Sequence, residues 1–398
     1  MFKIIRNATV YNPDKLGKKD VLIVNDKIIA IDDKIEISSN GIFDVEEINC
    51  KGEILVPGFI DGHVHILGGG GEGGFSNRTP EATLSILTKA GVTTVVGVLG
   101  TDGVGRDMNA LLSKARALEE EGITTFVFDG NYRLPIKTLT ENLINDIMAI
   151  DKIIGIGEIA LSDHRSSQPS FDEFVKTVAD TRVGGILSGK AGIINVHLGD
   201  GKRCLDLINE IVEKTEIPIR QFWPTHINRN AYLFEEGIKF AKKGGIIDFT
   251  GNSDPDLWEK LYGEVKVSKA IKRVLEEGIS EDNFTLTSDG QGSFPMFDNK
   301  GNYKGIGIGT SSCLLESIKA CFFEENIPLE KAIRAITVNP ANILKLKNKG
   351  KIEKNYDADL CLLDEKTLDI DMVIAKGKIM VKDGNPTVFG VFEKASKN

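Results

Sequence analysis

The sequence contains few cysteines, no dense run of positive charge and no long apolar segment, and each absence narrows the possible functions. Its 398 residues include five cysteines, an odd number, scattered without a CxxC pair. This pattern disfavours a disulfide framework and predicts buried thiols in a reducing compartment. The net charge of −9, without Lys- and Arg-rich runs, argues against nucleic-acid binding.

The apolar runs are also too short to cross a membrane. No run reaches about eighteen residues, and the opening stretch MFKIIRNATVYNPD lacks an apolar core of signal-peptide length. Apolar residues nevertheless make up 41% of the chain and charged residues 27%, as in globular proteins with a large core. We therefore expect a cytoplasmic protein with no membrane partner.

Strand-like apolar runs alternate with helix-like segments between about residues 53 and 290. The runs are EILVPGFIDGHVHI, TTVVGVLGT, TTFVFDGNY, KIIGIGEIA, IINVHLG, IRQFWPTH, GGIIDFTG and FTLTSDG. Helical patterns such as LWEKLYGEVKVSKAIKRVLEEG lie between them. This alternation predicts the α/β class, and eight parallel βα units in roughly 240 residues suit a closed (β/α)8 TIM barrel.

The two ends of the chain have a different pattern, with short alternating segments separated by turn signals. Residues 1–52 and 348–398 each hold too little apolar surface for a separate core, so we expect them to form one small β-sandwich domain together. The barrel then occupies residues 53–347, and residues 311–346 are expected to supply two closing helices.

Histidine is scarce, which makes its placement informative. Of the five histidines, His63, His65, His197 and His226 fall at the C-terminal ends of predicted strands. Those ends share one face of a parallel barrel, where the active site of such barrels is built. A single histidine of this kind is usually structural, but four on one rim favour a metal site.

Two carboxylates join the histidines on this rim, Glu158 on predicted strand 4 and Asp289 on predicted strand 8. Imidazole and carboxylate are ligands that zinc-like ions prefer. Six ligands suit two metal ions that share a bridging carboxylate and a bridging hydroxide. Such a pair lowers the pKa of water, and a nearby aspartate can pass its proton to a leaving nitrogen. The residue types predict metal-assisted hydrolysis, with an amide as the expected bond, and leave the substrate open.

The motifs PGFIDGHVHI, NVHLG, PTHINR and TSDGQGS resemble the amidohydrolase superfamily. HVHILGGGGEGG, GVLGTDGVGR, GNYRLP, ALSDHRSS and SDGQGSFPMFD extend the resemblance to the isoaspartyl (β-aspartyl) dipeptidases, over essentially the whole chain. That family cleaves dipeptides whose N-terminal aspartate is linked through its side-chain carboxyl. The resemblance also implies a homo-oligomer, typically an octamer.

The resemblance assigns metal ligands and catalytic residues. It makes His63 and His65 ligands of a first metal, and His197 and His226 ligands of a second. Asp289 becomes a first-metal ligand and the general base. Tyr132 would polarise the substrate carbonyl by donating a hydrogen bond to its oxygen as negative charge develops there.

The resemblance also assigns substrate contacts. Glu72 would pair with the substrate ammonium group, and the glycines before it would offer N–H groups to a carboxylate. Arg165 and Arg229 would hold the leaving-group carboxylate. The full set of predicted substrate-binding residues is Gly70, Gly71, Glu72, Thr101, Tyr132, Arg165, Arg229 and Ser293. A simple turn for the glycines and surface ion pairs for the arginines stay open as alternatives, and His164 is expected to be supporting or structural.

One position departs from the family. A carbamylated lysine on strand 4 bridges the metals in these enzymes, whereas this chain has Glu158 there. The nearest lysine, Lys152, lies roughly 20 Å back along the strand, at its wrong end. Glutamate is a permanent anion with two oxygens but is shorter, so the strand or the metals must shift. We expect two divalent metal ions, with zinc as the expected metal, bridged by Glu158 and hydroxide. The alternatives are that Glu158 binds one metal only or that the function of the site has changed.

Three other functions fit parts of this pattern. Another amidase of the superfamily, a cyclic-imide hydrolase or an N-acyl amino acid deacylase, would share the metals but not need Glu72 and the paired arginines. A mononuclear deaminase would leave Glu158 without a metal role. A barrel without catalysis would be expected to lose ligands.

Overall fold

The structure, a computed structural model, describes residues 2–39, 44–50, 52–298 and 302–393. The predicted domain ranges also include residues 1, 40–43, 51, 299–301 and 394–398, which lie outside the described residues.

Strands and helices alternate through the middle of the chain, whereas the ends are rich in strands. The strands are β1 (Phe2–Asn12), β2 (Asp14–Val24), β3 (Lys27–Asp32), β4 (Val45–Asn49), β5 (Glu53–Pro57), β6 (Phe59–Val64), β7 (Val92–Gly97), β8 (Thr124–Asp129), β9 (Ile153–Leu161), β10 (Ile193–Leu198), β11 (Phe222–Thr225), β12 (Ile247–Thr250), β13 (Phe284–Thr287), β14 (Ser293–Phe297), β15 (Tyr303–Ile308), β16 (Leu360–Asp364), β17 (Ile370–Ala375), β18 (Lys378–Lys382) and β19 (Asn385–Pro386). The helices are α1 (Leu84–Lys89), α2 (Met108–Glu121), α3 (Leu143–Ala149), α4 (Phe171–Ser188), α5 (Asp206–Lys214), α6 (Ala231–Lys242), α7 (Pro255–Tyr262), α8 (Val267–Glu276), α9 (Ser312–Phe323), α10 (Leu329–Ala332) and α11 (Val338–Ile343).

Strands β6 to β13 form the predicted parallel barrel. Strands β6 to β11 pair in sequence order, and β12 pairs in parallel with β13. Two backbone hydrogen bonds close the ring: Ile227 N–H donates to Asp248 O at 3.1 Å, and His65 N–H donates to Gly290 O at 2.9 Å. The TIM barrel is therefore confirmed, and its strand ends share one rim.

The first predicted strand is divided in the structure. Strand β5 pairs with β16 and β1 in a sheet outside the barrel, whereas β6 enters the barrel. Gly58 makes the junction, where a Cβ atom would overlap the Thr93 side chain. The apolar pattern cannot reveal this division, because both strands are buried and their residues form one continuous apolar run.

Two further elements differ from the expectation. The segment expected as one long helix is two, α7 and α8, because Gly263 ends α7 in the left-handed conformation at φ 68°. In addition, β14 and β15 form an antiparallel hairpin beyond the last barrel strand.

Residues 311–346, expected to form two closing helices, form three, α9, α10 and α11, with a short 3-10 turn before α11.

Strands from both ends of the chain form one nine-stranded sheet. Its order is β19-β18-β17-β16-β5-β1-β2-β3, with β4 paired to β1. Its buried cluster joins Ile5 and Leu55 to Leu360 and Ile374, so neither end supplies the core alone. The β domain built from both termini is confirmed, while the predicted domain boundaries stay a prediction. None of the described helices combines the length and apolarity needed to span a membrane.

Candidate metal centre and active site

The six predicted metal ligands converge at the carboxyl ends of the barrel strands. They lie in or just after five strands: His63 and His65 at β6, Glu158 at β9, His197 at β10, His226 at β11 and Asp289 at β13. Glu158 is central, because its Oε2 lies 3.3 Å from His63 Nε2 and 3.2 Å from His197 Nδ1. Its other oxygen, Oε1, lies 3.4 Å from His65 Nε2.

Asp289 and His226 complete the two sides of this cluster. Asp289 Oδ1 lies 3.0 Å from His65 Nε2 and 3.7 Å from His63 Nε2. His226 Nε2 lies 3.7 Å from Glu158 Oε2, and its Nδ1 lies 2.7 Å from the Thr250 hydroxyl, which fixes the ring. Both residues adopt a positive φ, 64° for His226 and 49° for Asp289, at the turns where their strands end.

His197 also contacts Tyr132, Asp163 and Arg165, whose Nη2 lies 3.3 Å from its Nε2. Its Nδ1 lies 3.0 Å from the Tyr132 hydroxyl, and its Nε2 lies 3.1 Å from Asp163 Oδ2. Both ring nitrogens face carboxylates, because Nδ1 also lies 3.2 Å from Glu158 Oε2. A metal ion on the Glu158 side would need the lone pair of Nδ1, which would put the ring proton on Nε2, where Asp163 accepts it.

A layer of buried carboxylates supports the cluster from below. Asp248 accepts hydrogen bonds from Thr225 at 2.6 Å, from Thr285 at 2.5 Å and from Thr287 at 2.6 Å. Asp61 accepts from the Ser288 and Ser311 hydroxyls at 2.5 Å and 2.8 Å. These bonds fix the strand ends that carry His226 and Asp289, because the acceptors and donors come from different strands.

The electrostatics of the centre favour bound cations. Burial raises the pKa of Glu158, but His63, His197 and His226 outweigh burial and hold it well below its ordinary value. Burial also raises the pKa of Asp289, but the close contact with His65 and the charges of His63 and His226 together outweigh it. Both carboxyls are therefore anionic, Glu158 in a buried position and Asp289 at the wall of a cavity, and they strongly favour positive charge between them.

The ligand atoms also fit metal ions because many of them lack another partner. Among the described residues, the following buried atoms accept or donate no hydrogen bond: His63 Nδ1 and Nε2, His65 Nδ1, Glu158 Oε1, His226 Nε2 and Asp289 Oδ1. Leaving such atoms unsatisfied is costly. They group into His63–His65–Glu158 and Glu158–His197–His226, two candidate trios that share Glu158. Nitrogen and oxygen ligands of this kind suit zinc-like ions.

A cavity of about 580 Å³ opens above the metal ligands. The predicted residues Gly70, Glu72, Thr101, Tyr132 and Ser293 line it, together with both predicted arginines. A volume of this size suits a small molecule. Gly71 lies outside the cavity lining, and its N–H donates to Asn77 O at 2.9 Å.

Glu72 and Arg165 lie in one network of charged side chains. Glu72 Oε1 accepts from the Thr101 hydroxyl at 2.8 Å and from Arg165 Nη1 at 3.1 Å. Arg165 also forms a fork on Asp163, with Nη2 at 2.7 Å from Oδ2 and Nε at 3.0 Å from Oδ1. Arg165 therefore already holds two carboxylates. By contrast, Arg229 Nε is buried and makes no hydrogen bond to a described residue.

The glycine loop approaches the hairpin closely. Gly70 has φ 71°, and a Cβ atom there would lie 3.0 Å from the Ser293 hydroxyl and would overlap Asn77 O. A side chain at position 70 would therefore collide with the residues around it, and glycine avoids this collision. His164 points away, with 90% of its side chain exposed, and does not line the cavity.

Sequence reasoning did not identify several residues that shape this site. Asp163 holds both His197 and Arg165, Thr250 fixes His226, and Trp258 and Glu264 line the outer cavity. Asp163 left a weak signal, a carboxylate two residues before Arg165. The others lie at the end of β12, on α7 and just after α7, and their position at the site depends on the closed barrel.

The sequence matches the amidohydrolase family over residues 54–380. The chain is a member of the amidohydrolase family. Among the solved structures that this amidohydrolase resembles is a β-aspartyl dipeptidase from Fervidobacterium islandicum AW-1, bound to the dipeptide β-Asp-Leu. It is 48% identical, with 97% of each chain covered and a TM-score of 0.89.

A second structure of the Fervidobacterium enzyme is 46% identical, covers 97% of this amidohydrolase and 98% of that chain, and has a TM-score of 0.87. A more distant relative is a dihydroorotase from Listeria monocytogenes. It is 30% identical over an alignment of 418 residues, gaps included, that covers 94% of this chain and 92% of that protein. The expected resemblance to the superfamily and to its β-aspartyl dipeptidases is thus confirmed.

Proposed function

We propose that this amidohydrolase hydrolyses the isopeptide bond of β-aspartyl (isoaspartyl) dipeptides. The observation that carries the proposal is the 48% identity to an enzyme of that name over nearly the whole chain. The site residues support it, because Glu72 and two arginines surround a cavity of small-molecule size. A β-aspartyl dipeptide carries one ammonium group and two carboxylates, which match these charges.

We propose that the metal centre holds two divalent ions, with zinc as the expected metal, and that Glu158 lies between them. Support comes from the position of Glu158, which belongs to both trios and offers one oxygen to His65 and the other to His63 and His197. When bound, such ions supply a water molecule acidified to near neutral pKa and withdraw charge from the scissile carbonyl.

Asp289 and Tyr132 would carry the proton transfer and the charge stabilisation. Asp289 is anionic and lines the cavity, so it can take a proton from the attacking water and return it to the leaving nitrogen. Burial and the charge of Glu158 raise the pKa of Tyr132 well above its ordinary value, which keeps its hydroxyl protonated and able to donate. Donation to the developing oxyanion stabilises the transition state by about 3 kcal/mol in comparable sites.

Each charged group of the substrate would bind to a different residue of the site. Glu72 would accept the ammonium group, with Thr101 holding its carboxylate in place. Arg229 is the better candidate for the leaving-group carboxylate, because Arg165 is engaged by Asp163 and Glu72. Gly70 and Ser293 would hold the other carboxylate, whereas the N–H of Gly71, predicted for the same role, is engaged by Asn77 O. Arg165 would contribute its charge beside Glu72.

The test is hydrolysis of β-Asp-Leu and α-Asp-Leu by zinc-loaded protein, followed as free leucine. We expect release from the β-linked peptide alone. Dihydroorotate serves as the control for the cyclic-amide chemistry of the Listeria relative, and an N-acetyl amino acid for a deacylase. Cleavage of either control without β-Asp-Leu would replace this proposal by the alternative amidase. Sedimentation would test the proposed homo-oligomer, expected to be an octamer, and cell fractionation the cytoplasmic location.

A further inference from the structure

Three aromatic side chains form a wall at the outer end of the cavity. Trp258 and Tyr262 lie on α7, and Phe294 lies on β14 of the hairpin. The Trp258 ring lies 4.9 Å from the Tyr262 ring and 6.1 Å, edge to face, from the Phe294 ring. These separations are those of packed aromatic side chains, so the three rings form one apolar surface.

Helix α7 holds this wall at the surface. The Asp254 carboxylate caps it by accepting from Leu257 N–H at 3.1 Å, and Pro255 begins its first turn. An ion pair of 2.7 Å between Glu259 and Lys269 ties α7 to α8. None of the residues of α7, all of them described, is fully buried. Trp258 is therefore turned to the cavity and does not fill the protein core.

The carboxylate beside the wall does not provide a site for a cation. Glu264 lines the same part of the cavity, where Arg229 attracts it and Asn252 hydrogen-bonds to it. Burial raises the pKa of Glu264 to about 7, so the group carries only part of a charge near neutral pH. A cationic ligand would also meet the repulsion of Arg229. The surface thus favours an apolar or aromatic group.

We propose that Trp258, Tyr262 and Phe294 form the pocket for the side chain of the residue released from the dipeptide, and that they select aromatic and large aliphatic residues. This inference rests on the proposed function and names its substrate class. The position supports it: Arg229 interacts with Glu264, two residues after Tyr262, so a leaving residue whose carboxylate is held by Arg229 would lie beside the segment that carries two of the rings.

The first experiment compares kcat/KM for β-Asp-Gly, β-Asp-Leu, β-Asp-Phe and β-Asp-Lys. We expect β-Asp-Phe and β-Asp-Leu to exceed β-Asp-Gly by roughly 10- to 100-fold, the range that apolar pockets reach. Trp258→Ala should remove most of this advantage through KM, lowering kcat/KM for β-Asp-Phe and β-Asp-Leu far more than for β-Asp-Gly, while Trp258→Phe keeps the preference. Phe323→Ala, which alters an aromatic residue on α9 that is 49% exposed, is the matched control.

Equal rates for the glycine, leucine and phenylalanine peptides, or a preference for β-Asp-Lys, would overturn the inference. A protein that cleaves no β-aspartyl dipeptide would refute the proposed function instead. A second measurement keeps the two separate. The protein has two tryptophans, and Trp223 is fully buried in the barrel with its Nε1 bonded to Thr285 at 2.9 Å.

Trp258 is therefore the fluorophore that a ligand in the cavity can reach. L-phenylalanine should change the tryptophan emission and glycine should not, whether or not a dipeptide is cleaved. Trp258→Phe should abolish the response. Emission that does not respond to L-phenylalanine would count against the pocket by itself.

Discussion

Replacing Asp163 by asparagine should weaken metal binding although Asp163 is not a predicted ligand. Asp163 Oδ2 accepts from His197 Nε2 at 3.1 Å and from Arg165 Nη2 at 2.7 Å. Its Oδ1 accepts from the backbone and side-chain nitrogens of Arg165 at 2.7 Å and 3.0 Å. Asparagine keeps one oxygen, which the two bonds at Oδ1 require, so its NH2 group would face His197 and would also lose the bond from Arg165 Nη2.

That NH2 group can only donate, so His197 Nε2 must then accept and the ring proton must move to Nδ1. Nδ1 is the nitrogen 3.2 Å from Glu158, and a protonated nitrogen cannot bind a metal. Loss of such a supporting carboxylate weakens metal binding by about 10- to 100-fold, or about 1.4–2.8 kcal/mol. We expect the Kd for zinc to rise by this factor.

The assay is competition for zinc between the folded protein and a chromophoric chelator, with folding checked by circular dichroism. His164→Asn is the matched control, because His164 is the next residue and is 90% exposed. It should leave the zinc Kd unchanged. If Asp163→Asn binds zinc as tightly as the parent, the tautomer of His197 is not set by Asp163 and the reasoning is refuted.

Three further predictions concern the loop, the bridging residue and a buried acid pair. Gly70→Ala should lower kcat/KM for β-Asp-Leu at least 10-fold, because the added methyl group would meet Asn77 and Ser293. Gly74 also has a positive φ, but the space around it is open, so Gly74→Ala should change kcat/KM far less. Similar rates for the two variants would contradict this reasoning. Activity should be the same in CO₂-free and bicarbonate-supplemented buffer, since Glu158 needs no carbamate, and rescue by bicarbonate would refute its role. Burial and the charge of Asp146 raise the pKa of Asp129 to about 8, so the folded state binds this proton more tightly and stability should fall as pH rises from about 4 to 8. Asp129→Asn should flatten that part of the Tm–pH curve and raise stability at pH 8 by about 1–3 kcal/mol, and an unchanged slope would show that Asp129 is not the group responsible.

The barrel and the convergence of the predicted ligands could be predicted because each depends on local pattern. Alternating βα segments imply parallel strands, and parallel strands place His63, His197 and His226 on one rim whatever the details of the loops. Metal binding then follows from residue type. These inferences need no knowledge of which residues touch.

What could not be predicted depends on contacts between distant segments. Asp163 meets His197 across 34 positions of sequence, and the hairpin that carries Phe294 reaches α7 only once the barrel has closed. The division at Gly58 was hidden because β5 and β6 are both buried and share one apolar run. Local patterns describe neighbours along the chain, so they do not determine such pairs.

The position of Glu158 indicates how a shorter side chain would reach the metal site that the resemblance assigns to a carbamylated lysine. Ile156 pairs with Ile194 and Ile159 with Val196, so β9 has one more residue than β10 between the same two pairs. This extra residue is a β-bulge at Gly157–Glu158, and bulges of this kind turn a side chain toward a site. Gly157 permits it, because a Cβ atom there would lie 2.7 Å from Asn195 Cβ. The backbone thus moves Glu158 toward the histidines, and its oxygens reach His63, His65 and His197 at 3.2–3.4 Å without a longer side chain.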